Sequence, residues 1–203
     1  MVKPTAFYRN DRGASAVEFA LVLPLLILCL FGIIDGGRFL WESNQAEKAT
    51  QAGARFAVVT APVASGISTQ GFVGVSGLTQ GDRIPASALP TVTCDSSNCG
   101  PDPCTGCPAG IPGTYDATAF ANIVARMNAL DPKIAAANVL VKYSGSGLGF
   151  AGDPNGAEVS PLVTVQLTGL QFTPITSLLF QSITMPIAST TLTAEDLSGD
   201  QSN

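Results

Sequence analysis

The chain of 203 residues contains no histidine, and it has only 10 lysine and arginine residues against 15 acidic ones. The lack of histidine excludes histidine-based catalytic triads, histidine metal ligands and a histidine pH switch. With a formal net charge of -5, the chain has no basic stripe that could neutralise the phosphates of a nucleic acid. We therefore expect no nucleic-acid partner.

Charge of either sign is scarce. Charged residues make up 12% of the chain and hydrophobic residues 46%, a low charge content for a soluble protein of this size, so part of the chain is expected to lie outside water. Serine and threonine are plentiful, but no base is evident to activate one, and the carboxylates do not pair in a catalytic motif. We predict that the protein is not an enzyme and that it uses no cofactor and no metal.

The longest apolar run covers residues 14–34, in which Glu18 is the only charged residue. As a helix this stretch would be ~31 Å long, close to the ~30 Å hydrocarbon core of a bilayer. Lys3, Arg9 and Arg12 precede the run, so the positive-inside rule predicts a cytoplasmic N-terminus. A cleaved secretory signal fits poorly, because its apolar region is usually only ~7–15 residues long and ends in a small-x-small site.

Glu18 needs an explanation in such a run. A carboxylate at the centre of a span costs ~2.5–3.5 kcal/mol, less near the edge, and it usually has a partner. Glu18 stands five residues after Gly13 in the stretch GASAVEF. This stretch resembles the processing site of type IV prepilins. Residues 9–60, including QAGARFA at 51–57, resemble the TadE-like pseudopilins of tight-adherence (Tad/Flp) pilus systems.

The resemblance implies cleavage between Gly13 and Ala14 by a membrane aspartyl prepilin peptidase. Ala14 would then carry a new ammonium, and Glu18 would neutralise the ammonium of an adjacent subunit during assembly. Phe19 stands where the major Flp pilins usually carry tyrosine, which favours a minor component of the pilus.

The same resemblance implies partners and a location. The partners are the prepilin peptidase, other pilin and pseudopilin subunits, an inner-membrane assembly platform and membrane lipid. The expected location is the inner (cytoplasmic) membrane, in a single pass with the C-terminal domain outside the cytoplasm, and the expected role is in a pilus that mediates cell adhesion.

Helical periodicity continues past the apolar run. Ala46, Ala49, Gly53 and Phe56 share one face of a helix, while polar residues cluster on the opposite face. Such a stripe of small residues permits close packing on the chain's own domain or on another helix in a filament. We predict a leader over residues 1–13, a transmembrane helix over 14–34, an amphipathic extension over 35–60 that stops before Pro62, and an exported domain over 61–203.

Four cysteines lie in the polar loop 94–107, namely Cys94, Cys99, Cys104 and Cys107. An even number in an exported segment predicts two disulfides, for which three pairings are possible. The alternative is a four-thiolate zinc site, because Cys104 and Cys107 have the spacing of a zinc knuckle. Only four residues separate the two cysteine pairs, which disfavours zinc. With either chemistry in this loop, the alternative function is a membrane-anchored, exported binding module.

The remaining patterns predict an α+β, pilin-like fold with an antiparallel sheet, a second helix and the disulfide-stapled loop. The second helix is expected over residues 117–130, capped by Asp116. Strands are expected at 138–143, 162–172 and 182–194, with Pro186 indicating an edge strand or a bulge. Asp153, Asn155 and Glu158 lack the spacing of a calcium loop, and we interpret them as part of a turn.

Overall fold

The computed structural model describes residues 13–101, 115–178 and 181–197. Its longest element is helix α1, which covers Ala14–Ala57 and contains Pro24. The helix spans both the predicted transmembrane segment and its extension, and it ends three residues before the predicted boundary at 60. One window of α1 has a mean hydropathy of 2.7 with none of its residues buried, so the helix is long and apolar enough to cross a membrane.

The described residues divide into two compact units. One unit contains the described part of the chain up to Glu42 together with Gln171–Ile183, and the other contains Ser43–Leu170 and the residues from Thr184 onward. Helix α1 contributes residues to both units because the division falls within it.

A five-stranded antiparallel sheet forms the centre of the second unit. Its strands, in chain order, are β1 (Val92–Cys94), β2 (Cys99–Pro101), β3 (Val139–Ser144), β4 (Leu162–Leu167) and β7 (Ala188–Thr193). They are arranged in the order β2-β1-β3-β4-β7, and all neighbouring pairs are antiparallel. A separate two-stranded sheet pairs β5 (Gln171–Phe172) with β6 (Ile183–Thr184).

Two of the predicted strands are interrupted. The prediction over 162–172 divides into β4 and β5 because Gly169, between them, adopts a φ of +69°, a left-handed conformation that glycine tolerates. The prediction over 182–194 divides into β6 and β7 around Pro186, which cannot donate to a strand ladder. Strand β7 is an edge strand, as the proline indicated.

The core follows the predicted alternation. Val163, Val165 and Leu167 on β4 are buried, as are Val139, Val141 and Tyr143 on β3. These side chains form the buried face because successive residues of a strand point to opposite sides.

A second helix covers the predicted region. This helix, α3 (Ala117–Asn128), follows the short helix α2 (Gly66–Thr69) in the chain. The carboxylate of Asp116 accepts hydrogen bonds from the backbone N–H groups of Thr118 at 2.8 Å and Ala119 at 3.0 Å, which confirms the predicted cap. The helix ends two residues earlier than predicted, so Leu130 lies beyond it and is exposed rather than part of the core.

The C-terminal part of α1 packs closely within the second unit. Ala46, Ala49 and Gly53 are buried as predicted, while Phe56 is only half-buried. A Cβ atom at Gly53 would lie 2.8 Å from Cγ and Sδ of Met127 and 3.3 Å from Cγ1 of Val165. Glycine is therefore required here so that α1 can approach both α3 and β4, and this stretch of the stripe docks on the chain's own domain.

We expect Gly53→Leu to lower the stability of the sheet-containing unit by about 1–3 kcal/mol, because the added side chain has no space beside Met127. The matched control is Gln51→Leu, an exposed position on the same helix, for which a change within about 0.5 kcal/mol is expected. Thermal unfolding of the full chain in detergent micelles measures both. Equal melting temperatures for the two variants would contradict close packing at Gly53.

The hydroxyl group of Tyr143 on β3 forms a hydrogen bond that connects a loop to the sheet. The backbone N–H of Val63 donates a hydrogen bond of 2.9 Å to the hydroxyl oxygen of Tyr143, whose side chain is fully buried. Burial raises the pKa of Tyr143, and the hydrogen bond from Val63 only partly offsets this effect. The phenol therefore stays neutral and acts as the acceptor for a buried backbone group.

Removing that hydroxyl with Tyr143→Phe should cost about 1–3 kcal/mol, because the N–H of Val63 loses its acceptor inside the domain. Tyr115→Phe is the control, since Tyr115 is only half-buried and packs against Phe120 through its ring. Chemical denaturation of the full chain in detergent compares the two. The assignment fails if both substitutions change the unfolding free energy by the same small amount.

Candidate functional site

The predicted processing site lies at the beginning of α1. Gly13 occupies an exposed turn immediately before the helix, and its carbonyl accepts a hydrogen bond of 3.2 Å from the N–H of Val17. The predicted scissile bond, between Gly13 and Ala14, therefore coincides with the boundary between turn and helix. Residues 1–12, which include the basic residues of the predicted leader, lie outside the described residues.

Glu18 and Phe19 lie in the first turns of α1, and both side chains are exposed. Glu18 is four residues after Ala14, which is ~6 Å along a helix axis. Among the residues that the structure describes, no cation lies within ion-pair distance of Glu18. The carboxylate is thus accessible to a charge from another molecule.

Large apolar side chains surround this carboxylate along the helix. At eight positions of the predicted span they are more than half exposed, namely Val17, Phe19, Leu21, Val22, Leu25, Leu26, Leu30 and Ile33. An apolar surface of this extent is covered in functional proteins by lipid or by a partner protein. The first half of α1 therefore has the surface of an element that does not face water.

At the other end of the apolar run, Asp35 binds the segment formed by residues 171–178 and 181–183, which we call the exit segment. One carboxylate oxygen accepts a hydrogen bond of 2.7 Å from the backbone N–H of Ile175. The other accepts from the backbone N–H of Thr176 at 3.1 Å and from its hydroxyl at 2.9 Å. Three donors from the exit segment thus converge on one carboxylate.

The electrostatics of Asp35 favour its ionised form. Desolvation raises the pKa of Asp35, but the hydrogen bonds from Ile175 and Thr176 and the charge of Arg38 together outweigh it and hold the pKa below its ordinary value. The guanidinium of Arg38 lies 3.2 Å from Asp35 and 3.8 Å from Glu42. Both carboxylate oxygens of Asp35 therefore accept hydrogen bonds.

Aromatic contacts reinforce this end of the first unit. The ring of Phe39 meets the ring of Phe172 edge to face at a centroid distance of 5.5 Å, and Arg38 lies 5.4 Å above the same Phe172 ring. Sequence reasoning missed the role of Asp35. The local signal was a lone acid directly after the apolar run, but its partners are about 140 residues away in the chain.

The cysteine loop contains a disulfide between Cys94 and Cys99, as predicted for two members of the group. The two residues are directly opposite each other in the β1–β2 hairpin. In the turn between them, Asp95 accepts hydrogen bonds from the side chain and backbone of Ser97 and from the backbone of Asn98, and these bonds lower its pKa. Cys104 and Cys107 lie outside the described residues, so their pairing stays a prediction.

This disulfide removes two thiolates from the proposed four-thiolate zinc set. Across residues 13–101, 115–178 and 181–197, no cluster of three or more candidate ligands could hold a metal ion. The carboxylates of Asp153 and Glu158 accept hydrogen bonds from different parts of the chain. Asp153 accepts from the N–H of Asn155 at 2.9 Å, as in a turn, and Glu158 accepts from the N–H of Phe72 at 2.7 Å.

Comparison with known proteins gives one similarity, and it is confined to α1 and the residue before it. The family model described as TadE-like protein matches residues 13–55. No curated protein matches the chain, and no solved structure does. The matched segment begins at Gly13, contains Glu18 and Asp35, and covers nearly all of α1. Over this segment the chain is similar to TadE-like proteins.

Proposed function

We propose that this protein is a minor pilin, or pseudopilin, that takes part in the assembly of a Tad pilus after a prepilin peptidase has cleaved it between Gly13 and Ala14. The observation that carries the proposal is the position of Gly13 and Glu18 in the family match and at the start of α1. Together they give a processing site, a prospective N-terminal ammonium and a carboxylate one helical turn away.

The local structure supports cleavage at this bond. Gly13 is exposed and lies in a turn directly before the helix, so the helical hydrogen bond that involves the scissile bond's carbonyl is the terminal one, from Val17 to Gly13. After cleavage, α1 would begin at Ala14, the first residue of the mature chain. The new ammonium would add a positive charge to the positive end of the helix dipole. An anionic partner for that end is therefore strongly favoured in an apolar surrounding.

Glu18 has the position required of that partner in a second subunit. A neighbouring helix that is parallel to the first and displaced by about one turn, ~6 Å, brings its Ala14 level with Glu18. Two charges that are costly in lipid then become one pair on assembly. The exposed apolar side chains around Glu18 supply the helix–helix contact that surrounds this pair.

The proposed location follows from α1 and the sequence that precedes it. The first half of the helix spans the cytoplasmic membrane, with the basic leader inside and the sheet-containing domain outside. Membrane lipid, the prepilin peptidase, other pilin subunits and an inner-membrane assembly platform are the partners that this placement requires. The role is structural rather than enzymatic, within a pilus that serves cell adhesion.

Mass spectrometry of the protein purified from its own membrane tests the processing step. We expect the mature chain to begin at Ala14, because Gly13 is the exposed residue that precedes the helix. Protein from cells that lack the prepilin peptidase is the control and should keep its leader. An N-terminus other than Ala14 in peptidase-containing cells would contradict the proposal.

Glu18→Ala tests the assembly charge. We expect normal membrane insertion but a loss of pili and of crosslinks to partner pilins. Leaving the opposite charge of a buried pair alone costs roughly 3–5 kcal/mol, equivalent to a few hundredfold or more in affinity. Pilus counts by electron microscopy and crosslinking from position 22 provide the measurements.

Glu47→Ala is the matched control, because Glu47 is an exposed carboxylate on the same helix and outside the predicted span. It should leave pilus number unchanged. Full assembly by Glu18→Ala, or by a chain whose apolar segment is replaced by an unrelated span, would instead favour the anchored binding module.

A further inference from the structure

The exit segment is held at a defined level of the membrane helix. Asp35 is the residue directly after the apolar run, and its carboxylate binds Ile175 and Thr176 of the exit segment. Ala14 and Asp35 are separated by ~32 Å along a helix axis, about the thickness of a hydrocarbon core. When α1 spans the bilayer, Asp35 and the residues bound to it therefore lie at its outer boundary.

Backbone N–H groups of the exit segment have hydrogen-bond acceptors, as a position at the membrane boundary requires. The N–H groups of Ile175 and Thr176 both donate to Asp35, and the N–H of Ser177 donates to the carbonyl of Pro174 at 3.1 Å. Backbone groups without partners are costly close to the hydrocarbon core. Asp35 thus supplies acceptors to the first N–H groups of a 3₁₀ helix, Ile175–Leu178, which would otherwise depend on water.

Two isoleucines of the exit segment are uncovered, although several of its other residues are polar. Ile175 is 50% exposed and Ile183 is 49% exposed. Beside them a groove of about 310 Å³ runs along the helix, and its floor is open because Gly32 and Gly36 have no side chains. The rest of the groove is lined by Asp35, Phe39, Phe172, Pro174, Thr176 and Ile183.

Exposed apolar side chains of α1 stand on both sides of Asp35 in the sequence. Ile33 and Ile34, immediately before Asp35, are 69% and 41% exposed, and Leu40 and Trp41 follow at 63% each. Tryptophan is enriched at the level of lipid headgroups, where its ring meets both apolar and polar groups. Because the groove lies on α1 at the end of this exposed apolar run, lipid is favoured as the occupant over a separate protein partner.

We propose that the exit segment is a membrane-interface element, held on α1 by Asp35, which places Ile175 and Ile183 among the lipids of the outer leaflet. The proposal rests on the membrane placement of α1, which belongs to the proposed function, and it goes beyond pilus assembly. It gives the chain a second membrane contact, about 140 residues after the first.

Depth-dependent fluorescence quenching tests the contact. The full chain contains one tryptophan, so Trp41→Phe provides a background in which Ile175→Trp introduces the only indole. The protein is reconstituted in phosphatidylcholine vesicles whose acyl chains are brominated either near the carbonyl end or near the chain terminus. We expect a roughly twofold loss of emission with bromine near the carbonyl end, together with protection from aqueous acrylamide.

Two reference positions in the same background make the result decisive. Phe31→Trp lies within the predicted span and should be quenched by bromine deep in the chain. Glu47→Trp replaces an exposed residue twelve positions beyond Asp35, and we expect it to be quenched by acrylamide alone. If Phe31→Trp is not quenched by lipid, the membrane placement of α1 fails. If Phe31→Trp is quenched and Ile175→Trp behaves like Glu47→Trp, only the interface proposal is overturned.

An indole at position 175 that is protected from acrylamide but not quenched by either lipid would be covered by protein. That result would also overturn the proposal. It would indicate that a second copy of the chain or another pilin covers position 175.

The role of Asp35 is tested with a pair of isosteric substitutions in the Ile175→Trp protein. Asp35→Asn places amide hydrogens among donors that need an acceptor, so lipid quenching at position 175 should fall toward the value for Glu47→Trp. Glu42→Gln removes the other carboxylate near Arg38 and should leave the quenching unchanged. Mass spectrometry of the Cys94–Cys99 disulfide verifies folding. Unchanged quenching in the folded Asp35→Asn protein would overturn the assignment of Asp35 as the residue that positions the segment.

Discussion

The structure depends on one constraint: a single continuous helix, α1, has an exposed apolar surface over its first half and a surface buried in a protein core over its last turns. Over residues 14–34 the large apolar side chains of α1 are exposed, and nothing in the described part of the chain covers them. Over the last turns, small residues such as Ala49 and Gly53 are buried against other elements of the same unit. The first surface suits lipid or a partner helix, and the second suits a packed protein core.

This division determines where sequence changes are tolerated along α1. A substitution at Gly53 meets Met127 and Val165 directly, whereas most of the large apolar side chains in the first half of α1 are exposed. Under the proposed function, changes in the apolar half would therefore affect membrane contact and subunit contact rather than the fold of the sheet-containing unit. Glu18 lies in that half, and its proposed role concerns other molecules.

Local patterns accounted for the elements, but not for the contacts between distant parts of the chain. Helical periodicity predicted α1 and α3, and the alternation at Val163 and Val165 predicted the buried face of β4, because these signals arise within a few residues. The break at Gly169 and the exposure of Leu130 were not predicted, because each depends on how the chain turns after an element ends. The binding of Asp35 to the exit segment joins residues about 140 positions apart, which one sequence cannot reveal.

One acid lies near each end of the apolar run, and the two differ in the hydrogen bonds and ion pairs that their carboxylates form. Asp35 receives three hydrogen bonds and an arginine from its own unit, so the outer end of the run is electrostatically complete in one chain. Glu18, at the inner end, has no ion-pair partner among the described residues. If cleavage creates an ammonium at Ala14, the inner end gains a charge whose partner in a neighbouring chain is Glu18. Under the proposed function, such a molecule could insert as a monomer, with Asp35 paired inside its own chain, and still favour assembly through Glu18. The two acids would then divide anchoring and association between opposite faces of the same membrane.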